Sequence, residues 1–183
     1  MKNIVLVLFL VTAVQSGFGQ SIRSLVNGGN DLYHDKKFTD AEVNYRKALQ
    51  KEKDLVQGHF DLGNALAKQG KRDEAAKEFA IAAEKAEHKD TKASAYYNIG
   101  NTQMGGQQYA DAVRSYVEAL KINPDDAEAK YNLSYALEKL RQQQQQNQQK
   151  KNDKNQDKQK NKQQNQDQNK NQDKKQNDQK KQQ

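Results

Sequence analysis

The side chains best suited to proton transfer or metal binding in this sequence are three histidines, His34, His59 and His88. A zinc or acid–base site would need them beside carboxylates or one another at ligand spacing, as in HExxH. They stand far apart along the chain, and no such spacing occurs. His59 is expected in a core slot, His34 on a helix surface and His88 in a loop. The serines are few, and none sits in the Gly-x-Ser-x-Gly setting of a nucleophile elbow. The carboxylates lie beside lysines, as in KRDEAAKEF over residues 71–79, which is ordinary charge patterning of solvated helices. The sequence therefore predicts a chain that is not an enzyme and has no metal or cofactor.

What recurs instead is a carboxamide next to a glycine: Gly29-Asn30, Gly63-Asn64 and Gly100-Asn101. A carboxamide both donates and accepts hydrogen bonds, which suits recognition rather than catalysis. The glycines pose a separate problem. In LGNALAKQGKRDEAAKEF, residues 62–79, Gly63 interrupts a good helix at a cost of about 1 kcal/mol relative to alanine. Each glycine is followed twelve residues later by an alanine, Ala41, Ala75 or Ala112. Three glycines in one register need a common cause. Phosphate binding is not that cause, because no strand precedes them and no GxGxxG or GK[ST] follows.

The elements that position these residues follow from the periodicity. Gly29 to Gly63 is 34 residues and Gly63 to Gly100 is 37, with the extra three assigned to a loop at EHKDTK. Apolar residues recur around each glycine at helical spacing. They are Leu25, Leu32, Ala41, Tyr45, Ala48 and Leu49, then Leu62, Leu66, Ala75, Phe79, Ala82 and Ala83. The third set is Tyr96, Ile99, Tyr109, Ala112, Tyr116, Ala119, Leu120 and Pro124. Each unit reads as two antiparallel helices, with Gly70 and Gly105-Gly106 marking two of the turns. Thr39 with Glu42 has the spacing of a capping box at the start of a second helix. Glycine and alanine are expected to face each other across the hairpin, and burial of Tyr45, Phe79 or Tyr116 offsets the helix penalty. After Pro124, Asp125 and Glu128 have capping-box spacing for one further helix, with Ser134 in the glycine position and no second helix after it.

This pattern resembles the tetratricopeptide repeat (TPR), most closely in AYYNIGNTQMGGQQYADAVRSYVEALKINPDD. The departures are His59 in an aromatic slot, Arg72 in place of an aromatic before its second helix, and Gln103 in an apolar slot that would loosen the third hairpin. Only one unit ends in proline. The resemblance implies an all-α, right-handed superhelical solenoid. Its parts would be repeats at 22–55, 56–92 and 93–126, a solvating cap helix at 127–145, and a disordered tail at 146–183. The family's groove positions fall on Arg23, Val26, Asn27, Asn30, Tyr33 and His34, on Phe60, Asp61, Asn64 and Lys68, and on Tyr97, Asn98 and Asn101. Asn30, Asn64 and Asn101 would form a ladder of amides able to pair with an extended peptide. The alternative is that asparagine after glycine is simply frequent in such repeats. Some TPR domains hold a C-terminal carboxylate in a basic clamp; the matching positions here carry Val26, Ser94 and Asn98, so that ligand is not expected.

Composition divides the chain. Residues 142–183 contain only Gln, Asn, Lys and Asp and hold most of the formal +7 charge. No residue there can enter a core, so the segment is expected to be solvated: a spacer, a contact for anionic envelope polymer, or low-complexity drift. With no aromatic and no arginine it does not suit nucleic acid. At the other end, MKNIVLVLFLVTAVQSGFGQ reads as an export signal over residues 1–20, cleaved after Gly19 or Gln20. Its apolar run is too short to span a bilayer, and no other segment could. Without cysteine the chain has neither a thioether-linked lipid nor disulfides. The order of parts resembles the TPR proteins of the Bacteroides aerotolerance (Bat) operons. That resemblance implies a periplasmic scaffold for protein partners, among them membrane-anchored von Willebrand factor A-domain proteins. A structural protein whose basic tail contacts surface polymer is the alternative.

Overall fold

The computed structural model describes residues 20–180, so all of the expected export signal except Gln20 lies outside the described residues. Seven helices and no strand are present among those residues. They are α1 (Ile22–His34), α2 (Phe38–Lys51), α3 (Val56–Lys68), α4 (Arg72–Lys85), α5 (Lys89–Gly105), α6 (Tyr109–Ile122) and α7 (Ala127–Lys180). They pair as hairpins α1–α2, α3–α4 and α5–α6, each stacked on the next, with α7 closing the row.

The three hairpin turns share one backbone solution. Lys37, Lys71 and Gln108 donate their N–H groups to the carbonyls of Leu32, Leu66 and Gln103, at 2.8, 3.0 and 2.9 Å. This six-to-one bond needs a left-handed residue just before it. Gly70 fills that place with φ 77°, but the others are Lys36 (62°) and Gln107 (58°). The third turn therefore does not pivot on Gly105-Gly106. Gly105 ends α5, and a Cβ there would stand 3.1 Å from Arg72 Nε of the preceding hairpin. The extra length of the third unit also lies elsewhere than expected. Only Ala86–His88 separate α4 from α5, and α5 has 17 residues against 13 in α3. The insertion has become a further turn of helix.

Neither capping box forms. Thr39 lies inside α2, whose N-cap Lys37 makes no side-chain capping bond, and Glu42 is buried against the next hairpin. At α7 the cap is Asp126, whose Oδ1 accepts from Ala129 N at 2.9 Å. Glu128 instead accepts from the Tyr97 hydroxyl. Pro124 stays exposed in the turn before that cap.

The glycines owe their register to rings. A Cβ on Gly29 would lie 2.4 Å from Tyr45, one on Gly63 2.8 Å from Phe79, and one on Gly100 2.5 Å from Tyr116. In every unit the aromatic sixteen residues downstream lies directly against the glycine. Ala41, Ala75 and Ala112 are fully buried, but the nearest atoms to each glycine belong to the ring. A close approach of backbone to ring is the reason for the glycine. The main core runs across hairpin boundaries and includes Ala41, Tyr45, Leu62, Leu66, Ala75, Phe79 and Ile99. Gln103 does not leave a gap, because its Oε1 accepts from the buried Ser115 hydroxyl at 2.7 Å. Beyond Gln143, α7 carries only polar side chains, exposed wherever described. A helix with no apolar side chain to pack exchanges readily with coil.

Candidate functional site

The first helices of the hairpins, α1, α3 and α5, present two adjoining depressions. One, of about 240 Å³, is lined by Asn30, Tyr33, His34, Tyr45, Asp61 and Asn64. The other, of about 380 Å³, is lined by Tyr33, Asn64, Lys68, Arg72, Asn98 and Asn101, with Ala67, Phe79, Thr102 and Gly105 at its floor and edge. Tyr33 and Asn64 border both, so the two form one continuous groove across three units.

The three asparagines are not equivalent. Asn30 Oδ1 accepts from the Tyr45 hydroxyl at 2.7 Å, and Asn101 Oδ1 accepts from the Tyr116 hydroxyl at 2.7 Å. Asn132 Nδ2 of α7 also donates to Asn101 Oδ1 at 3.0 Å. These two amides are turned so that their oxygens serve the fold and their N–H groups remain for other partners. Facing Asn64 is Phe79, which has no hydroxyl. Asn64 is thus the asparagine of the three whose oxygen no ring hydroxyl claims. The ladder expected from the sequence is three amides in register, one of which keeps both donor and acceptor.

Charge is divided along the groove. Asp61 is partly buried between α1 and α3, and burial raises its pKa despite two 2.9 Å contacts from Gln57 Nε2. Tyr33 is raised as well, first by burial and then by the Asp61 charge. At the other end stand Lys68 and Arg72. One end is therefore anionic and the other cationic, with amides and a tyrosine between them.

Of the residues expected in the groove, Asn30, Tyr33, His34, Asp61, Asn64, Lys68, Asn98 and Asn101 come together here. Arg23 and Asn27 are exposed on α1, and Val26 is half-buried there. None of the three lines either depression. Phe60 packs edge-on against Phe79 with centroids 5.6 Å apart, and Tyr97 packs on Tyr116 at 5.9 Å. Tyr97 also donates to Glu128 Oε2 at 3.1 Å and accepts from Asn132, which ties α5 to α7. Arg72 was legible only as a departure: a cation where an aromatic belongs, at the start of a second helix. His59 is buried as expected, but as a polar bridge. Nδ1 lies 2.6 Å from Glu78 Oε2 and Nε2 2.8 Å from the Lys53 carbonyl. His34 is exposed at the end of α1, and His88 is the exposed N-cap of α5. No cluster of three potential metal ligands occurs among the described residues. No described helix is long and apolar enough to cross a membrane.

Stacked helical hairpins with a polar groove along their first helices define an α-solenoid interaction module. Two tetratricopeptide-repeat families match the chain, one at residues 27–96 and one at residues 93–126. The chain belongs to the tetratricopeptide-repeat family. Among solved structures it is similar to the first TPR domain of Spaghetti (RPAP3) bound to an HSP90 peptide, SRMEEVD. Identity there is 20% over 66% of this chain and 94% of that one, with a TM-score of 0.61. The first TPR domain of human RPAP3 is 19% identical over 67% and 94%, also at 0.61. The N-terminal domain of stress-induced protein-1 from C. elegans is 19% identical over 63% and 93%, at 0.58. At such identities the likeness is one of fold. A search of the curated proteins found no match.

Proposed function

We propose that the chain is a non-catalytic adaptor that holds an extended segment of a partner protein along the groove of α1, α3 and α5. The observation that carries this is Asn64: a half-buried carboxamide at the junction of both depressions, with its oxygen left free by Phe79. It can take a backbone N–H and give one back, as an extended peptide requires. Asn30 and Asn101 would then act as donors only. The division of charge favours a ligand with a basic residue toward Asp61 and an acidic one toward Lys68 and Arg72.

The setting is the bacterial cell envelope, on the strength of the export signal at residues 1–20. The order of parts supports a stress or aerotolerance complex with membrane-anchored von Willebrand factor A-domain proteins. A photo-crosslinker placed at Lys68 is expected to trap such a protein in intact cells. Asn64→Ala should weaken capture about tenfold, the loss of one or two hydrogen bonds, with the urea midpoint unchanged. Undiminished capture by a well-folded Asn64→Ala chain would remove the groove from the proposal. Asn101→Ala differs, because it also strips the partner from the buried Tyr116 hydroxyl and should cost about 1–2 kcal/mol of stability.

Residues 142–183 support a second, separable reading in which the cationic segment rests on anionic surface polymer. Deleting them should release the chain from such polymer in a salt-sensitive way and leave groove binding intact. Retention of surface association after the deletion would exclude it.

A further inference from the structure

In each complete hairpin the small residue of the first helix is covered by a ring from its own second helix. Phe60 and Tyr97, three residues before Gly63 and Gly100, pack on that same ring. Helix α7 repeats the receiving half of this arrangement. Ser134 holds the glycine register, Tyr131 corresponds to Phe60 and Tyr97, and Leu137 corresponds to Leu32 and Leu66. The covering half is missing. Sixteen residues after Ser134 stands Lys150, on the same helix, and residues 142–183 offer only Gln, Asn, Lys and Asp. Tyr131 is accordingly 72% exposed and Leu137 48% exposed, whereas Ala129 and Ala136 on the opposite side are buried. A cap that only solvated the stack would be polar here. This face instead carries two large apolar side chains, Tyr131 and Leu137, one on each flank of Ser134.

We propose that this face of α7 docks on the same face of a second copy of the chain, the two helices antiparallel about Ser134. The second helix of each hairpin also runs antiparallel to the first, so the contact supplies the missing direction of packing. The register is self-complementary, as a two-fold contact requires. Antiparallel pairing centred on Ser134 puts Tyr131 of one copy opposite Leu137 of the other, twice. It also puts Lys130 opposite Glu138, twice. These residues share one side of the helix by their three- and four-residue spacing. The smallness of Ser134 lets the backbones approach at the centre, where each Tyr131 ring can lie beside it. Lys130 and Glu138 are both exposed and have only local partners, Asp125 at 3.9 Å and Gln142 at 2.8 Å. They can re-pair between copies, where their contribution is to register more than to affinity. Lys130, Tyr131, Ser134, Leu137 and Glu138 line neither depression of the groove, and the proposal does not depend on that groove.

Sedimentation of the purified chain over a wide concentration range tests it. A reversible monomer–dimer equilibrium is expected. Tyr131→Lys should raise the dimer dissociation constant roughly tenfold or more, and so should Leu137→Glu. Both positions are exposed, so helicity, and the urea midpoint at concentrations where every chain is monomeric, should stay the same. Lys130→Glu alone should weaken association, and Lys130→Glu combined with Glu138→Lys should restore it, while Asn64→Ala leaves it unchanged. A chain that stays monomeric at every concentration overturns the proposal. So does a dimer indifferent to Tyr131→Lys, or one that the combined charge reversal fails to restore. Capture of a foreign amphipathic helix on α7 by a chain that never self-associates would assign the face to another occupant and overturn it equally.

Discussion

Replacing Phe79 with alanine is expected to remove about 4 kcal/mol from the stability of the repeat stack, enough to leave little of a small domain's margin. Phe79 is 1% exposed, lies at the centre of the core shared by adjacent hairpins, and supports Phe60 edge-on. Its loss opens a cavity that helices held by a tight turn at one end and packed between neighbouring helices cannot fully close. The stronger test is how this change interacts with Gly63. In the native chain Gly63→Ala forces its Cβ to within 2.8 Å of the ring, a strain of about 1–3 kcal/mol that exceeds the roughly 1 kcal/mol gained in helix propensity. Once the ring is gone that strain vanishes. Gly63→Ala in the Phe79→Ala background should therefore be neutral or stabilising, which is a reversal of sign. Urea denaturation of the four chains of the cycle reads it directly. Additive effects would show that the ring is not what demands the glycine.

The second large effect is expected at Glu42. Its carboxylate is buried between α2 and the next hairpin and accepts from Lys71 Nζ (2.8 Å), Gln69 Nε2 (2.9 Å) and Arg46 Nε (2.8 Å). Burial alone would raise its pKa. The bonds from Lys71, Gln69 and Arg46, with the Arg46 charge, outweigh that and hold it at about 2 against an ordinary 4.5. The folded state thus binds this proton less readily than the unfolded chain. The contribution is complete above the unfolded value of 4.5 and is lost as pH falls from there toward 2. Lys71 and Arg46 are 40% and 43% exposed, so screening trims the contribution to about 2 kcal/mol. Glu42→Gln should lower stability at neutral pH by about that amount and flatten its dependence between pH 5 and 2. Asp61 acts in the opposite sense, since burial raises its pKa and acid relieves the cost of its charge. Comparing urea midpoints of native and Glu42→Gln chains over this range isolates the one group. An acid limb of unchanged slope in Glu42→Gln would show that the staple between hairpins lies elsewhere.

Much of the fold was legible because a repeat states its pattern three times. The 34-residue period, the buried alanines and the ring at Tyr45, Phe79 and Tyr116 are local consequences of helices that must pack on a neighbour, and these survive any detail of geometry. Details that depend on which atoms meet were harder to see. Thr39 and Glu42 have capping-box spacing, but Glu42 finds better partners on the next hairpin. Gly105 looks like a turn residue, yet the turn pivots on Gln107 and the glycine makes room for Arg72.

The groove divides in the same way. That Asn30, Asn64 and Asn101 share a register is written in the sequence, whereas the groove expectation for Tyr33, Asp61 and Lys68 came from the resemblance to the tetratricopeptide repeat. That Asn64 differs from the other two was also present, in the phenylalanine at 79 where the other units have tyrosine. It acquires meaning only once the ring hydroxyls are seen to reach across fifteen residues to the asparagine oxygens.

By itself, then, the sequence determined the helical repeat, its period and its small-against-large core, because these follow from residue type and spacing along one chain. Only the tertiary structure decided which amide keeps its oxygen, where the groove's two charges stand, and that Tyr131 and Leu137 of α7 are left exposed. Those are properties of atoms brought together across hairpins, and no periodicity along a single helix encodes them.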